Sequence, residues 1–176
     1  MKTLIISYSL TGNNATLAKG LGEHINANHY EVKELKKRNT FTIILDLLFN
    51  RTPKIVQPEA DLLAYDHLVF VGPVWLGAVA SPLRQLLCEL KGSETPYSFV
   101  SISAGADGAN TKLEADLMKR TGQKPAVVIN PLITDLLPKT PKPSRKDLDA
   151  YRLNTADASR LITNTSKTLK TIIGTC

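Results

Sequence analysis

Residues 3–16, with the sequence TLIISYSLTGNNAT, decide the fold that this chain predicts. The first half is an apolar run rich in β-branched side chains, and small polar residues follow it at once: Ser9, Thr11, Gly12, Asn13 and Asn14. Beyond them, apolar residues recur at helical spacing: Leu17, Ala18, Leu21 and Ile25. The pattern predicts a β-strand, a polar loop and an α-helix in direct succession.

The loop predicted at this junction has the composition of an anion-binding site. A helix N-terminus leaves backbone N–H groups unpaired and carries partial positive charge. The hydroxyls of Ser9 and Thr11 can donate further hydrogen bonds, as can the side-chain amides of Asn13 and Asn14. Gly12 lets the backbone approach an anion closely, and the loop contains no lysine, which suits a terminal phosphate held without metal. The same residue types also cap helices, so the loop alone supports both interpretations equally.

Composition and charge limit the classes of protein to which the chain can belong. Its 176 residues are enough for one domain, spanning 1–176, with a full hydrophobic core. No run approaches the ~18 apolar residues of a membrane span and no signal peptide is recognised, so we expect a cytoplasmic protein. The net charge of +6 attracts acidic partners, but only 6% of the residues are aromatic and no basic–aromatic alternation is present. This composition argues against nucleic-acid binding.

Four apolar runs predict parallel strands that are buried on both faces: 3–8, 68–71, 98–102 and 126–129. A more polar fifth run at 30–35 predicts an edge strand. Successive strands begin roughly thirty residues apart, which leaves room for a crossover helix between each pair. This alternation predicts an α/β fold with helices on both faces of the sheet.

Residues that start and stop helices mark several of the predicted helices. Ser81 and Pro82 predict an N-cap and a first helical position, and Gly92 ends that helix. Apolar spacing predicts a second helix over 110–120 and the last helix over 155–173.

Two segments, 38–54 and 131–152, exceed what a minimal five-strand plan needs. The first is apolar between basic flanks and predicts the second crossover helix, with a flap over a ligand or a membrane-touching helix as alternatives. The second contains several prolines and follows the last strand, so we expect it near the carboxyl ends of the strands. Its basic residues could recognise the phosphates of a nicotinamide cofactor or an acidic partner, or lie on a solvated excursion: Lys139, Lys142, Arg145 and Lys146.

Other chemistry-bearing residues give weaker signals. His24, His29 and His67 lack the spacing of metal ligands and predict surface or helix-end positions. Cys88 is predicted to be a small buried residue, and its distance in sequence from the terminal Cys176 indicates no disulfide framework. No Walker motif or G-x-G-x-x-G fingerprint occurs, and the strand ends lack the acidic residues of a phosphorylated receiver domain.

Three loops follow the first, third and fourth predicted strands, which are the apolar runs 3–8, 68–71 and 98–102: 9–14, 72–78 and 103–108. In an open parallel sheet, ligands lie beyond the carboxyl ends of the strands, where the strand order reverses. Trp75, the only tryptophan, lies between Pro73 and Gly77, where its ring could form the wall of a site for a planar aromatic ligand or pack in the core. The third loop is small, so a ring edge could lie against its backbone amides, while Asp107 could touch such a ring, bind a partner or cap the loop. Together the loops predict a site for a planar heterocycle with a phosphorylated tail.

The motifs Ser9-x-Thr11-Gly12-Asn13 and Pro73-Val74-Trp75-x-Gly77 resemble those of short-chain flavodoxin-like proteins, and the similarity extends over nearly the whole chain. The resemblance implies a flavodoxin-like three-layer sandwich, with a five-stranded parallel sheet in the order 2-1-3-4-5, that binds FMN. By this resemblance, the first loop holds the FMN phosphate, Trp75 flanks the isoalloxazine, and 103–105 line its other side or its pyrimidine edge. The candidate cofactor-binding residues are Ser9, Leu10, Thr11, Gly12, Asn13, Asn14, Pro73, Val74, Trp75, Leu76, Gly77, Ser103, Ala104 and Gly105.

The chain departs from the family pattern in three respects. Asn14 stands where the family usually has Thr or Ser, the third loop lacks the second aromatic wall of carrier flavodoxins, and the chain is basic where carriers are acidic. The last two departures favour an FMN-dependent reductase that takes hydride from NAD(P)H and passes electrons to a quinone or similar acceptor. The alternatives are an electron-transfer protein that docks on a partner redox protein and an FMN-binding regulatory module, and a homodimer stays open. No catalytic acid, base, nucleophile or metal ligand is assigned.

Overall fold

The protein, in a computed structural model that describes residues 1–36, 40–105 and 111–174, is built around a five-stranded parallel sheet. Its strands are β1 (Thr3–Ser7), β2 (Asn28–Glu31), β3 (His67–Val71), β6 (Tyr97–Val100) and β7 (Val128–Ile129), and a separate hairpin supplies β4 (Val74–Trp75) and β5 (Ala78–Val79). The spatial order is β2-β1-β3-β6-β7. Counted along the five sheet strands, this is the predicted order 2-1-3-4-5, so the predicted α/β fold class is confirmed.

Helices cover both faces of this sheet. The described residues form six α-helices: α1 (Asn13–Ile25), α2 (Thr40–Leu48), α3 (Arg84–Glu89), α4 (Leu113–Thr121), α5 (Arg145–Ala150) and α6 (Thr155–Ile173). Successive strand residues point to opposite faces. Leu4 and Ile6 of β1 therefore lie in one core with α3 and α4, whereas Ile5 lies in the other with α1 and α6. The molecule has the three predicted layers, and α6 has the predicted bounds.

The edge strand begins earlier than the sequence pattern predicted. β2 covers Asn28–Glu31 instead of 30–35, because the chain turns away from β1 after Val32, whose N–H donates to the Ser7 carbonyl at 2.7 Å. Glu34 then forms an isolated antiparallel bridge with Ile55, outside the parallel sheet. The polar side chains that signalled an edge therefore belong partly to the excursion that follows it.

Polar contacts between α2 and the start of α3 replace the predicted N-cap. Ser81 opens a 3-10 turn, Ser81–Leu83, and its hydroxyl donates to Asp46 Oδ2 (3.2 Å), so the N-cap prediction for Ser81 was wrong. Arg84, which is only 2% exposed, donates through Nη1 to the carbonyls of Asp46 (3.3 Å) and Arg51 (3.1 Å). The described part of segment 38–54 thus forms the predicted crossover helix. In the described residues, no helix combines the length and the apolar character that crossing a membrane requires.

Two single-residue predictions were also wrong. His67 lies fully buried at the start of β3, where Nε2 and Ser98 Oγ are 2.9 Å apart, because the sheet continues one residue before the apolar run. Cys88 is exposed, since α3 turns its Leu86–Leu87 side to the core and this thiol away from it. Asp107 and Cys176 lie outside the described residues.

Candidate functional site

The loop between β1 and α1 presents unpaired backbone donors at the N-terminus of a helix. Gly12 is the N-cap, with a φ of +94°, and no side chain caps the helix. Four backbone N–H groups donate no hydrogen bond within residues 1–36, 40–105 and 111–174: those of Thr11, Asn13, Asn14 and Ala15. A Cβ added to Gly12 would meet no atom within 4 Å, so the space beside this helix end is open. These donors and the helix dipole form an arrangement that can receive an anion.

The remaining loop residues shape the turn that leads to this helix end. The Gly12 N–H donates to Ser9 Oγ at 3.0 Å, which orders the turn while leaving the Ser9 hydroxyl proton for another acceptor. Ser9 is half-buried, whereas Leu10 and Thr11 are exposed. The loop therefore offers hydroxyl and N–H donors to the solvent without a basic side chain.

Asn13 ties the start of α1 to a distant segment of the chain. Its Nδ2 donates to the Tyr151 carbonyl and its Oδ1 accepts from the Leu153 N–H, both at 3.0 Å. The side chain is only 4% exposed. Both ends of this amide therefore hold backbone groups, and donation by its second N–H to a phosphate stays a prediction.

Asn14 makes the corresponding contact with the end of β6. Its Oδ1 accepts from the Ile102 N–H at 2.8 Å, and its Nδ2 donates to the Ile102 carbonyl at 3.3 Å. Asn14 is 3% exposed and Ile102 is 4% exposed, so both bonds are shielded from water. The amide acts as an extra peptide group beside the sheet, and its contact with a ligand stays a prediction.

The second loop folds into the β4–β5 hairpin. Leu76 (φ +51°) and Gly77 (φ +79°) occupy its tip, and two successive positive φ values are typical of a tight hairpin turn. Leu76 is 85% exposed, whereas Pro73, Val74 and Gly77 are half-buried. The predicted loop is therefore an ordered ribbon that stands above the carboxyl end of β3.

Trp75 connects this hairpin to the first loop. Its ring is half-buried and meets the Tyr8 ring edge to face, with 6.1 Å between the centroids and 89° between the planes. Tyr8 directly precedes Ser9, and its hydroxyl donates to Glu34 Oε2 at 2.9 Å. Trp75 therefore lies beside the first loop, as the sequence predicted, although one side of it also packs on the core. Its apposition to a flavin ring stays a prediction.

The third loop is fixed to the segment that follows β7. Ser103 Oγ donates to Asn130 Oδ1 at 3.0 Å, and Ala104 packs against the core shared with α1. Gly105 has a φ of +79°, and a Cβ there would lie 2.7 Å from Thr134 Oγ1, so this position requires glycine. The described part of the loop, 103–105, is half-buried, and its contact with a ring edge stays a prediction.

The segment 131–152 lies at the carboxyl ends of the strands, as predicted. Its last part is held by Asn13 and by Tyr151, whose hydroxyl donates to Asp157 Oδ2 at 2.5 Å. Burial and this carboxylate raise the pKa of Tyr151 to about 12, so the phenol remains a neutral donor. Arg152 donates through Nη1 to the carbonyl of Tyr151. The four basic residues singled out from the sequence are all exposed: Lys139, Lys142, Arg145 and Lys146.

Sequence reasoning missed the partners that assemble the site. Tyr8, Ile102, Tyr151 and Leu153 contact predicted site residues, and three of them do so only through the main chain. A partner that bonds through its main chain cannot be recognised from its residue type, and no sequence pattern links positions that are 138 residues apart. Within the described residues, no group of His, Cys, Asp and Glu could hold a metal ion.

Comparison with solved structures places this fold among flavoproteins. A flavoprotein from Lactobacillus acidophilus NCFM, crystallised in complex with FMN, shares 24% identity and a TM-score of 0.63, over 73% of this chain and 92% of that one. The apo-form flavoprotein from the same organism shares 25% identity and a TM-score of 0.59, over 74% and 91%. The Trp repressor binding protein from Bacillus subtilis shares 12% identity and a TM-score of 0.50, over 73% and 85%.

No protein-family profile and no curated sequence matches the chain. The topology agrees with the structural comparison. The parallel sheet has the order 2-1-3-4-5, and the three loops lie at the carboxyl ends of its first, third and fourth strands. This chain has the flavodoxin-like fold.

Proposed function

We propose that this protein binds FMN at the carboxyl ends of β1, β3 and β6 and acts as an NAD(P)H-dependent reductase of a quinone or similar acceptor. The observation that carries the proposal is the uncapped N-terminus of α1, where four unpaired N–H groups would receive the phosphate. The L. acidophilus protein with the same fold, which is described as a complex with FMN, supports the choice of cofactor.

Each loop would contact a different part of the cofactor. The N–H groups at the start of α1, with the hydroxyls of Ser9 and Thr11, would hold the phosphate. The hairpin residues around Trp75 would flank the ring, and 103–105 would line its other side or its pyrimidine edge. Bound FMN would supply hydride and electron transfer, while the chain supplies position and electrostatics.

Two features of the chain favour a reductase over a dedicated carrier. The described part of the third loop, 103–105, contains no aromatic residue, so it would leave one ring face accessible to a second substrate. The net charge of +6 and the exposed lysines of 131–152 would attract the phosphates of a nicotinamide dinucleotide.

Two glycines allow a matched test of the phosphate position. Gly12 and Gly92 both have a φ near +90° (94° and 86°), and a Cβ on either would meet no atom within 4 Å. Alanine at either position should therefore cost about 1–2 kcal/mol of backbone strain. Only Gly12→Ala puts a methyl group where phosphate oxygens would approach, so its FMN dissociation constant should rise about tenfold, equivalent to about 1.4 kcal/mol.

Isothermal titration with FMN and with riboflavin separates the phosphate from the ring. Gly12→Ala should weaken FMN while leaving riboflavin nearly unchanged, and Gly92→Ala should weaken neither. Equal weakening of both flavins by Gly12→Ala would show that α1 does not hold the phosphate. Absence of flavin from the purified protein, together with failure of FMN to bind on reconstitution, would refute the cofactor assignment altogether.

Steady-state kinetics distinguish the reductase from the carrier. FMN-loaded protein should oxidise NADH or NADPH continuously when a quinone is added, with a saturable dependence on both. Flavin reduction that requires a separate reductase protein, without turnover of NAD(P)H alone, would assign the protein to electron transfer between partners instead.

A further inference from the structure

A second concave site lies on the α4 side of the β4–β5 hairpin. This cleft, the α2–hairpin cleft, has a volume of about 300 Å³ and lies between α2, the hairpin and α4. It shares Trp75 and Leu76 with the predicted cofactor site and no other residue. A volume of about 300 Å³ is at the lower end of the range for small-molecule sites.

The rim of the α2–hairpin cleft is apolar and unusually exposed. Leu48 is 72% exposed and Leu76 is 85% exposed, and they flank the cleft together with Ile44 and the Trp75 ring. Leu76 has a φ of +51°, which costs a non-glycine residue about 1–2 kcal/mol. A strained leucine that is held out into solvent contributes nothing to the core, so its position indicates a binding role.

The floor of the cleft offers hydrogen-bond donors and few free acceptors. Both oxygens of Asp116 are occupied: Oδ2 accepts from the Val79 N–H (2.9 Å) and Arg120 Nε (3.0 Å), and Oδ1 accepts from Arg120 Nη2 (2.8 Å). Asn50 Oδ1 accepts from Arg84 (3.3 Å) and Arg120 (3.4 Å). Within the described residues, Arg120 Nη1 donates no hydrogen bond, although this side chain is only 12% exposed. The floor therefore fits a ligand that accepts hydrogen bonds or carries negative charge.

We propose that the α2–hairpin cleft binds a flat aromatic compound of two or three fused rings that carries an acceptor oxygen or an anionic group at one edge. The rings lie between Trp75 and the leucine side chains, and the polar edge meets Arg120. Binding in this cleft does not require FMN. Its use as the site of the electron acceptor rests on the proposed function.

The lone tryptophan makes this binding directly measurable. Anthraquinone-2-sulfonate, which has the stated chemistry, is titrated into the full chain while Trp75 fluorescence is recorded. We expect saturable quenching, with a dissociation constant that rises about tenfold in Arg120→Gln, because a charge-assisted hydrogen bond is lost. Leu48→Ser changes an exposed side chain and should weaken binding severalfold without affecting folding. Lys167→Gln, on an exposed face of α6, is the matched charge control and should change nothing.

Equilibrium dialysis of the same probe in the presence of saturating FMN separates the two sites. Retention of the probe alongside FMN supports a distinct cleft, and displacement by FMN would overturn it, as would quenching that neither Arg120→Gln nor Leu48→Ser alters. If the protein binds the probe but no FMN, the proposed function fails and the cleft stands. If the probe does not bind, and light scattering detects a dimer that Leu76→Ser abolishes, the apolar rim is a protein contact and the proposal is wrong.

Discussion

Replacing Asn14 by alanine should destabilise the protein more than any other change in the first loop. The substitution removes both hydrogen bonds to Ile102 and leaves a buried N–H and a buried C=O without partners. Each unpaired buried group costs about 1–3 kcal/mol, and alanine returns at most about 0.7 kcal/mol of helix propensity. The net loss should therefore be about 1–5 kcal/mol, which is a large part of the roughly 5–15 kcal/mol that stabilises a domain.

Urea unfolding, followed by circular dichroism, measures this loss. Asn164→Ala is the matched control, because Asn164 lies exposed in the middle of α6 and the same substitution there should stay within about 0.5 kcal/mol of wild type. Asn14→Thr, which introduces the residue type usual in flavodoxin-like loops, should fall between the two, since one hydroxyl can satisfy only one Ile102 group well. A loss for Asn14→Ala no greater than that for Asn164→Ala would refute the role of this amide.

Three further predictions follow from other contacts. Burial lowers the pKa of His67 below 6.5, so as the pH falls the unfolded chain takes up a proton before the folded chain does. The free energy of unfolding should therefore fall below pH 6.5, by at most about 1.4 kcal/mol per pH unit. His67→Gln should reduce the pH dependence of the urea midpoint between pH 7 and pH 5. Asn13→Ala should increase amide hydrogen exchange at Leu153, whose N–H loses its acceptor, while exchange in β3 stays slow. Replacing four basic residues by glutamine should raise KM for NADPH at low salt, and an unchanged KM would exclude them from cofactor recognition: Lys139, Lys142, Arg145 and Lys146.

The centre of the sheet was predictable because β1, β3 and β6 are buried on both faces. Runs such as 68–71 are apolar at every position, so they remain visible in a single sequence, and their spacing indicated crossover helices. The strand order 2-1-3-4-5 came from the resemblance to flavodoxin-like proteins. β2 was harder to place, since an edge strand with exposed residues carries no such constraint. His67 was misplaced for a related reason: a polar residue can lie in the core when a neighbour such as Ser98 pairs with it.

The candidate site was predictable as a set of loops but not as a set of contacts. Gly12 and Gly77 lie in the predicted loops, and each has a positive φ that favours glycine. Asn13 and Asn14 looked like ligand donors, since an amide suits an anion and a backbone peptide equally well. The folded chain brings Ile102 and Tyr151 within hydrogen-bond distance of these amides, and residue type alone does not predict such contacts.

The long-range contacts of Asn13 and Asn14 bear on the order in which parts of the molecule fold. They join the first loop to main-chain groups 88 and 138 residues further along, so the loop proposed to hold the phosphate is fully anchored only after the last third of the polypeptide has docked. Contacts of such long range tend to form slowly. A nascent chain released before Tyr151 would contain the whole parallel sheet and still lack the contact that anchors Asn13. Under the proposed function, retention of yellow FMN would therefore report that synthesis and folding had both reached their end.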